Sequence, residues 1–375
     1  MGKALGRQHW PTVVIGGGQA GLATGYHLAE RGEQFVVLDR NARPGDSWRQ
    51  RWDSLRLFTP ARHNGLPGMP FPAEQQTFPS KDEVADYLEA YASRFSLPVL
   101  HGVEVERLDK ADSGYALSTS LGRILADRVV VATGTNQLPR IPSFARELDP
   151  AIRQLHSSQY RNPADLGQGA VLVVGAGTSG VELAVELAAS RKAYLSGRPT
   201  RHIPDALLRY AGEPYWWFVS KVLTVRTPIG RRAQVSIRHG GAPLIRVSVA
   251  DLKAAGVEQV ARVVGVADGR PRLDDGRTLP VSTVLWATGY QLDFEWIRFQ
   301  VADDSGFPDA TRGVSNLSRG LYFVGMPFQY ALVSGLLGGV DQDAAYVADQ
   351  IHRQPAPPRL TAPEAVATES RPSPV

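Results

Sequence analysis

The chain contains no cysteine. That excludes disulfides, thiolate metal sites and any redox cycle run by a dithiol. No run of 18 consecutive apolar residues occurs, so no segment is expected to span a bilayer. No block of basic residues or basic helix stands out. The net charge of +4, from 41 Lys and Arg against 37 Asp and Glu, reads as an Arg-rich surface and not as a nucleic-acid footprint. The first residues, MGKALGRQHWPT, lack the apolar stretch of a signal peptide, so a cytoplasmic location is expected. No Ser-His-Asp or metal-ligand spacing is present either.

What remains is an ordinary globular composition, 43% hydrophobic and 21% charged over 375 residues, long enough for two domains. Thr12 to Ile15 is a β-branched run that predicts a buried parallel strand. A glycine turn follows from Gly16 to Gly21, then a helix from Leu22 to Arg31 stopped by Gly32, then a strand from Phe35 to Leu38. The same order recurs from Ala170 to Arg198. Arg43 to Pro79, and again Arg201 to Arg246 with Trp216 and Trp217, show no clean period and read as long functional loops. Lys81 to Phe95 place Val84, Tyr87, Leu88 and Tyr91 at helical spacing. Val99 to Leu108 and Tyr115 to Leu121 predict a small antiparallel insertion. Arg128 to Thr133 and Val257 to Leu285 predict further strands, each set ending in Ala-Thr-Gly (Ala132, Thr133, Gly134 and Ala287, Thr288, Gly289). From Leu321 one more strand runs to Gly325, and a long helix is expected from Ser334 to Ile351. Beyond Pro355 the chain is rich in Pro, Ala, Ser and Thr and predicts disorder.

This pattern predicts an α/β fold of two Rossmann-like dinucleotide-binding domains, each with a central parallel sheet and a small antiparallel insertion. The expected division is 1–145 for a first nucleotide domain, 146–167 for a linker, 168–290 for a second nucleotide domain, 291–354 for a return to the first, and 355–375 for a tail.

Both turns fit G-x-G-x-x-G: Gly16, Gly18, Gly21 and Gly175, Gly177, Gly180. The first glycine permits the tight turn, the second lets backbone approach a pyrophosphate, and the third lets helix pack on strand. The pyrophosphate then sits at a helix N-terminus, where free N–H groups favour negative charge. Asp39 follows Gly21 by 18 residues, and Arg198 follows Gly180 by 18 residues. On spacing alone they occupy one template position, where the adenosine ribose is read. A carboxylate accepts hydrogen bonds from free ribose hydroxyls and suits FAD or NAD. A guanidinium pairs with a 2′-phosphate, so the second site is expected to prefer NADPH. Two such sites without thiols imply a flavin that receives a hydride and hands electrons to something other than a disulfide.

At this point the chain resembles the flavin-containing monooxygenases (class B flavoprotein monooxygenases), closest to their short bacterial and plant YUCCA-like members. The resemblance runs from Pro11 to Ile351. It rests on GGGQAGLA, PGDSWRQRWDSLRLFTP, GAGTSGVELA, the two Ala-Thr-Gly strand ends, LYFVG and SGLLGGV. The family signature F-x-G-x-x-x-H-x-x-x-(Y/F) is half present: His156 and Tyr160 stand in place, while Pro150 and Ile152 take the Phe and Gly positions. Tyr-Arg after that histidine departs from the Trp-Pro of Baeyer–Villiger relatives. Gly325 is followed by Met326 where two-nucleotide reductases often carry Asp.

The resemblance implies the two-dinucleotide-binding flavoprotein fold, with FAD and NADPH as cofactors. It implies that Gln19, Ala20, Arg40, Trp48, Val105, Gly325 and Leu336 join the first glycine turn, Asp39 and Ala132 to Gly134 around FAD. Thr178, Ser179 and Ala287 to Gly289 join the second turn and Arg198 around NADPH. His156 and Tyr160 are candidates near the reaction, and the start of the last helix is expected to face the flavin pyrimidine edge. The implied activity is NADPH- and O2-dependent monooxygenation of a small-molecule substrate through a peroxyflavin, at nitrogen, sulfur or carbonyl carbon. The alternative is a reductase passing electrons to a quinone or protein acceptor. No nucleic acid partner and no membrane span are expected, and the protein is expected to be a monomer or homodimer.

Overall fold

The computed structural model describes residues 9–238 and 242–354. The expected disordered tail, 355–375, lies outside the described residues. β1 (His9–Ile15) leads through the glycine turn into α1 (Gln19–Glu30) and β2 (Phe35–Asp39). The two strands are parallel, with Ile15 opposite Leu38. α2 (Asp46–Arg49) is a single turn inside the irregular stretch, and α3 (Lys81–Arg94) follows it. α3 starts at a capping box, in which Ser80 and Glu83 satisfy each other's backbone N–H. Its Val84, Tyr87, Leu88 and Tyr91 are buried, as their spacing predicts.

β3 (Val99–His101) pairs parallel with β2. It is an edge of the main sheet, not part of the antiparallel insertion. The insertion is β4 (Val105–Lys110) and β5 (Tyr115–Thr119), which lead antiparallel into β6 (Gly122–Val131). β6 then runs parallel to β1. Both faces of this sheet are covered: Val14, Val37 and Val130 point into one core, and Val13, Ile15, Val36, Leu38, Val129 and Val131 into the other. Burial on both sides is why these strands read as unbroken apolar runs.

The chain then crosses to a second sheet through β7 (Leu138–Pro139). β8 (Arg153–His156), within the expected linker, is that sheet's edge strand beside β14 (Thr283–Trp286). β9 (Val171–Val174), α4 (Thr178–Ala188) and β10 (Ala193–Ser196) repeat the βαβ unit. The sheet is five-stranded and parallel, in the order β11-β10-β9-β14-β8, with β11 at Glu258–Val260. β12 (Val263–Ala267) and β13 (Arg270–Leu273) form an antiparallel ribbon beside it.

The described residues between Arg201 and Arg246 are largely helical, not irregular. They fold as α5 (Asp205–Lys221) and α6 (Pro228–Arg238), followed by α7 (Val249–Ala254). α5 contains Pro214 and is kinked at Ala211 (φ −131°, ψ 28°). A helical proline breaks the hydrogen-bond ladder and the period together.

β15 (Tyr290–Gln291) pairs with β7, so the two chain crossings between sheets are tied to each other. β16 (Ala310–Thr311), β17 (Val314–Ser315) and β18 (Leu321–Phe323) return to the first sheet, where β18 lies parallel to β6. The final helix, α8 (Asp341–Arg353), packs on α1. It starts seven residues later than expected. Leu332–Gly335 form a short 3-10 turn instead, and Ser334 to Gly339 do not open the helix. No helix among the described residues is long and apolar enough to cross a membrane.

Candidate functional site

The two glycine turns are built alike. Gly16 (φ +108°) and Gly175 (φ +106°) lie in a backbone region that favours glycine. A Cβ on either would strike the carbonyl oxygen of Ala132 (2.5 Å) or Ala287 (2.3 Å) on the neighbouring strand end. Gly21 and Gly180 admit the helices: a Cβ on either would lie 1.8 Å from the carbonyl oxygen of the first glycine. Gly18 and Gly177 differ. Each is the N-cap of its helix, makes no side-chain cap, and a Cβ there meets nothing within 4 Å. Gly134 and Gly289, past the facing strand ends, look onto open space in the same way. Both helix starts therefore present uncapped N–H groups to a space that only glycine keeps fully clear. These cradles fit a dinucleotide pyrophosphate.

Asp39 ends β2 and is buried. Its Oδ1 accepts from Asn41 N (2.8 Å) and Asn41 Nδ2 (2.9 Å). Its other oxygen lies where a Cβ on Gly17 would stand, at 2.4 Å. The carboxylate is thus fixed against the turn.

The register of the second unit corrects the spacing argument. Gly16 N–H donates to Leu38 O, and Gly175 N–H donates to Ser196 O. Ser196 therefore matches Leu38, Gly197 matches Asp39, and Arg198 matches Arg40. The cause is α4, with 11 residues against 12 in α1. The second site thus places a glycine (φ +123°) where the first has its carboxylate, and Arg198 follows, exposed at the turn. No carboxylate remains at that position to repel a phosphate.

The flanking residues divide. Gln19 opens α1 and its Nε2 donates to Gly335 O at 3.3 Å. Ala20 is buried against Gly325, whose φ is +89° and whose Cβ would lie 2.8 Å from the Ala20 side chain. Thr133 and Gly134 are held by Gln137 Nε2. Thr178 and Ser179, the first residues of α4, are half-buried. Thr288 Oγ1 donates to Arg140 O, joining the two crossings. Trp48 and Val105 are half-buried against the first sheet's two cores. Arg40 is exposed.

His156 ends β8 and is fully buried. Its Nε2–H donates to Gly289 O (3.0 Å), so Nδ1 accepts, from Ser158 Oγ (2.9 Å) and Ser158 N (3.2 Å). Burial pushes its pKa down and the ring stays neutral. It braces the Gly289 turn. Tyr290, edge-on to His156, accepts from Arg51 Nη1 at 2.9 Å. Tyr160 is not brought to this site. Its ring is fully buried in the core of the second sheet, and burial raises its pKa.

The described residues also enclose a cavity of about 530 Å³. Its walls come from the 59–70 loop, α5 and the 333–342 turn, and include Leu66, Met69, Trp216, Val333 and Leu336. The Gln19–Gly335 bond joins that last wall to the start of α1. Trp216 faces inward, whereas Trp217 is 62% exposed. Arg62 and His63 also line the cavity. Sequence reasoning missed them, because the 43–79 stretch carries no period that assigns sides. Burial lowers the His63 pKa, helped by Arg62.

Comparison with known proteins agrees with this geometry. Residues 13–197 match the family described as pyridine nucleotide-disulphide oxidoreductase. The chain is 40% identical over 342 residues to an uncharacterized oxidoreductase, CzcO-like, of Geobacillus kaustophilus, covering 90% of this chain and 97% of the relative. It is 32% identical over 395 residues to the indole-3-pyruvate monooxygenase YUCCA1 of Oryza sativa subsp. japonica, covering 93% of each. Among solved structures, the flavin-containing monooxygenase from Stenotrophomonas maltophilia superposes with a TM-score of 0.74 at 27% identity, covering 92% of this chain and 98% of that one.

Proposed function

The chain belongs to the flavin-containing monooxygenase family, and from that premise we propose that it is an NADPH- and O2-dependent monooxygenase of a small organic molecule. The observation that carries this reading is the pair of open glycine cradles, one beside a buried carboxylate and one beside glycine and arginine. FAD, when bound, supplies two-electron acceptance from the nicotinamide and activation of dioxygen.

The protein's own residues do the rest. The Gly16 to Gly21 turn and the α1 N-terminus hold the FAD pyrophosphate. Asp39 accepts from the adenosine ribose. The Gly175 to Gly180 turn holds the NADPH pyrophosphate, and Arg198 pairs with the 2′-phosphate. His156, acting through Gly289, is a positioning residue for the nicotinamide side. Leu66, Met69, Trp216 and Leu336 keep water from the substrate. The division of labour we assign is FAD to the first sheet and its returning strands, and NADPH to the second. With no cysteine in the chain, the disulfide chemistry for which the matched family is named is closed to it.

The test follows oxygen uptake and nucleotide oxidation together, in wild type and Arg198→Ala. One O2 should be consumed per NADPH, and NADH should serve poorly. The variant should lose about 1.5–3 kcal/mol of NADPH discrimination, a rise in KM of roughly ten- to hundredfold, with NADH unchanged. Oxidation that ignores O2 and needs an added quinone would favour the electron-transfer reading.

A further inference from the structure

The charge of the chain is not spread evenly. From 214 to 250 the sequence carries six basic residues and no acidic one. Six positive charges here, against +4 for the whole chain, leave the remainder net negative. The segment holds the end of α5, the turn after it and α6. Lys221, Arg226, Arg231 and Arg232 are all exposed. Arg231 donates to the carbonyls of Val225 and Arg226, not to a carboxylate. Glu213, the acid just before the segment, is turned onto Arg62 at 3.1 Å.

The same two helices expose apolar side chains. α5 buries Trp216 and Val219 on its inner side, in a cluster with Ala331 and Val333. Its outer side carries Leu207, Tyr210, Trp217 and Phe218, of which Tyr210 is 82% and Trp217 62% exposed. A helix that is apolar on both sides calls for cover on both. α6 is reversed. A Cβ on Gly230 would lie 2.0 Å from Thr224 O, and Gln234 Nε2 donates to Phe328 O at 2.9 Å, so glycine and amide face the protein. Ile229 and Val235 are exposed, with Arg232 between them in sequence. Six of the thirteen large hydrophobic residues exposed among the described residues lie on α5 and α6. That concentration marks an interaction surface and not the usual scatter.

We propose that α5 and α6 dock the protein on the surface of an anionic membrane. Apolar and aromatic side chains interleaved with cations, and free of acids, match the interface of a bilayer with anionic headgroups. Trp and Tyr prefer the headgroup level, aliphatic side chains enter the acyl boundary, and Lys and Arg reach the phosphates. At 17 and 11 residues, with α5 kinked at Ala211, neither helix reaches the roughly 20 residues that a span needs, so the contact is with one leaflet. A second copy fits worse, because a two-fold contact through this face would set its cations against each other. Both helices pack on the 332–335 turn, and Trp216 and Ser220 of α5 line the cavity. On docking, α5 stands between that cavity and the lipid. The proposal rests on no step of the proposed reaction.

The test is flotation of the FAD-loaded protein with vesicles of phosphatidylcholine, alone or mixed equally with phosphatidylglycerol. Flavin absorbance reads the bound fraction and checks that each variant is folded. Binding should need the anionic lipid and should fall as salt is raised. Trp217→Ser should weaken it about tenfold, and Lys221→Glu combined with Arg232→Glu at least as much. Leu121→Ser, at an exposed apolar residue outside these helices, should change nothing. No flotation with the anionic vesicles, equal flotation with both, or binding that Trp217→Ser leaves unchanged would overturn the proposal. So would a dimer, seen by sedimentation without lipid, that Trp217→Ser dissociates, since the face would then be covered by a second copy.

Discussion

The three glycines of the first turn look equivalent in sequence, yet they protect different things. Gly21 protects the fold, since a Cβ there would stand 1.8 Å from Gly16 O. Gly18 has an ordinary helical-entry φ of −78°, and a Cβ there would meet nothing within 4 Å, so the fold itself does not require a glycine there, whereas the proposed pyrophosphate does. Gly18→Val should therefore leave circular dichroism and the melting of the FAD-free protein unchanged while abolishing flavin absorbance. Gly21→Val should lose both. A yellow Gly18→Val protein would show that nothing approaches that backbone. The close approaches at Gly16 and Gly21 were legible in the motif. The match between Asp39 and Arg198 was not. Counting residues gives them equal distance from the third glycine, but the shorter α4 shifts the register by one. Only the strand pairing reveals Gly197 in the carboxylate's place.

Elements were legible where one period ran uninterrupted. α3 and the parallel strands followed their apolar pattern. α5 did not, because Pro214 and the kink at Ala211 split it. The last helix erred in the other direction. Its apolar spacing from Ser334 suggested a continuous helix. Gly338 and Gly339 are there for close packing instead, with Cβ positions 2.1 Å from His63 O and 1.8 Å from Val333 O. Asp343, in the first turn of α8, is 1% exposed. Burial pushes its carboxyl up to about 6, against the Ser334 hydroxyl and the Arg312 charge, which pull it down. In the unfolded chain it ionises near pH 4. Between those values the folded protein keeps a proton that the unfolded chain has released. Stability from this group therefore falls as pH rises from about 4 to 6 and stays lower above. Asp343→Asn should gain on wild type by about 2–3 kcal/mol between pH 4 and pH 7, read from urea unfolding of the FAD-loaded protein. A difference that stays constant with pH would show that the carboxyl does not titrate in this range.

At the scale of the molecule, the repeated βαβ order announced two sheets, and the two Ala-Thr-Gly strand ends announced their shared design. What the order could not convey was how the halves meet. Trp52, from the irregular stretch after α2, sits in the core of the second sheet with Tyr160 and Val181. The crossings pair as β7 with β15, and His156 braces Gly289 across them. These contacts join residues more than 100 positions apart with no local pattern to mark them. They tie the second sheet to the segments that leave and return to the first; the proposed function needs that tie to bring a hydride donor and a flavin together. The direct test of that arrangement is to reduce the FAD-loaded protein with NADPH without air and mix it with dioxygen in a stopped-flow spectrometer. The account predicts a blue-shifted absorbance, distinct from both reduced and oxidised flavin, that forms first and then decays to the oxidised spectrum. Return to the oxidised spectrum in one step, or no reaction with dioxygen until a quinone is added, would contradict it.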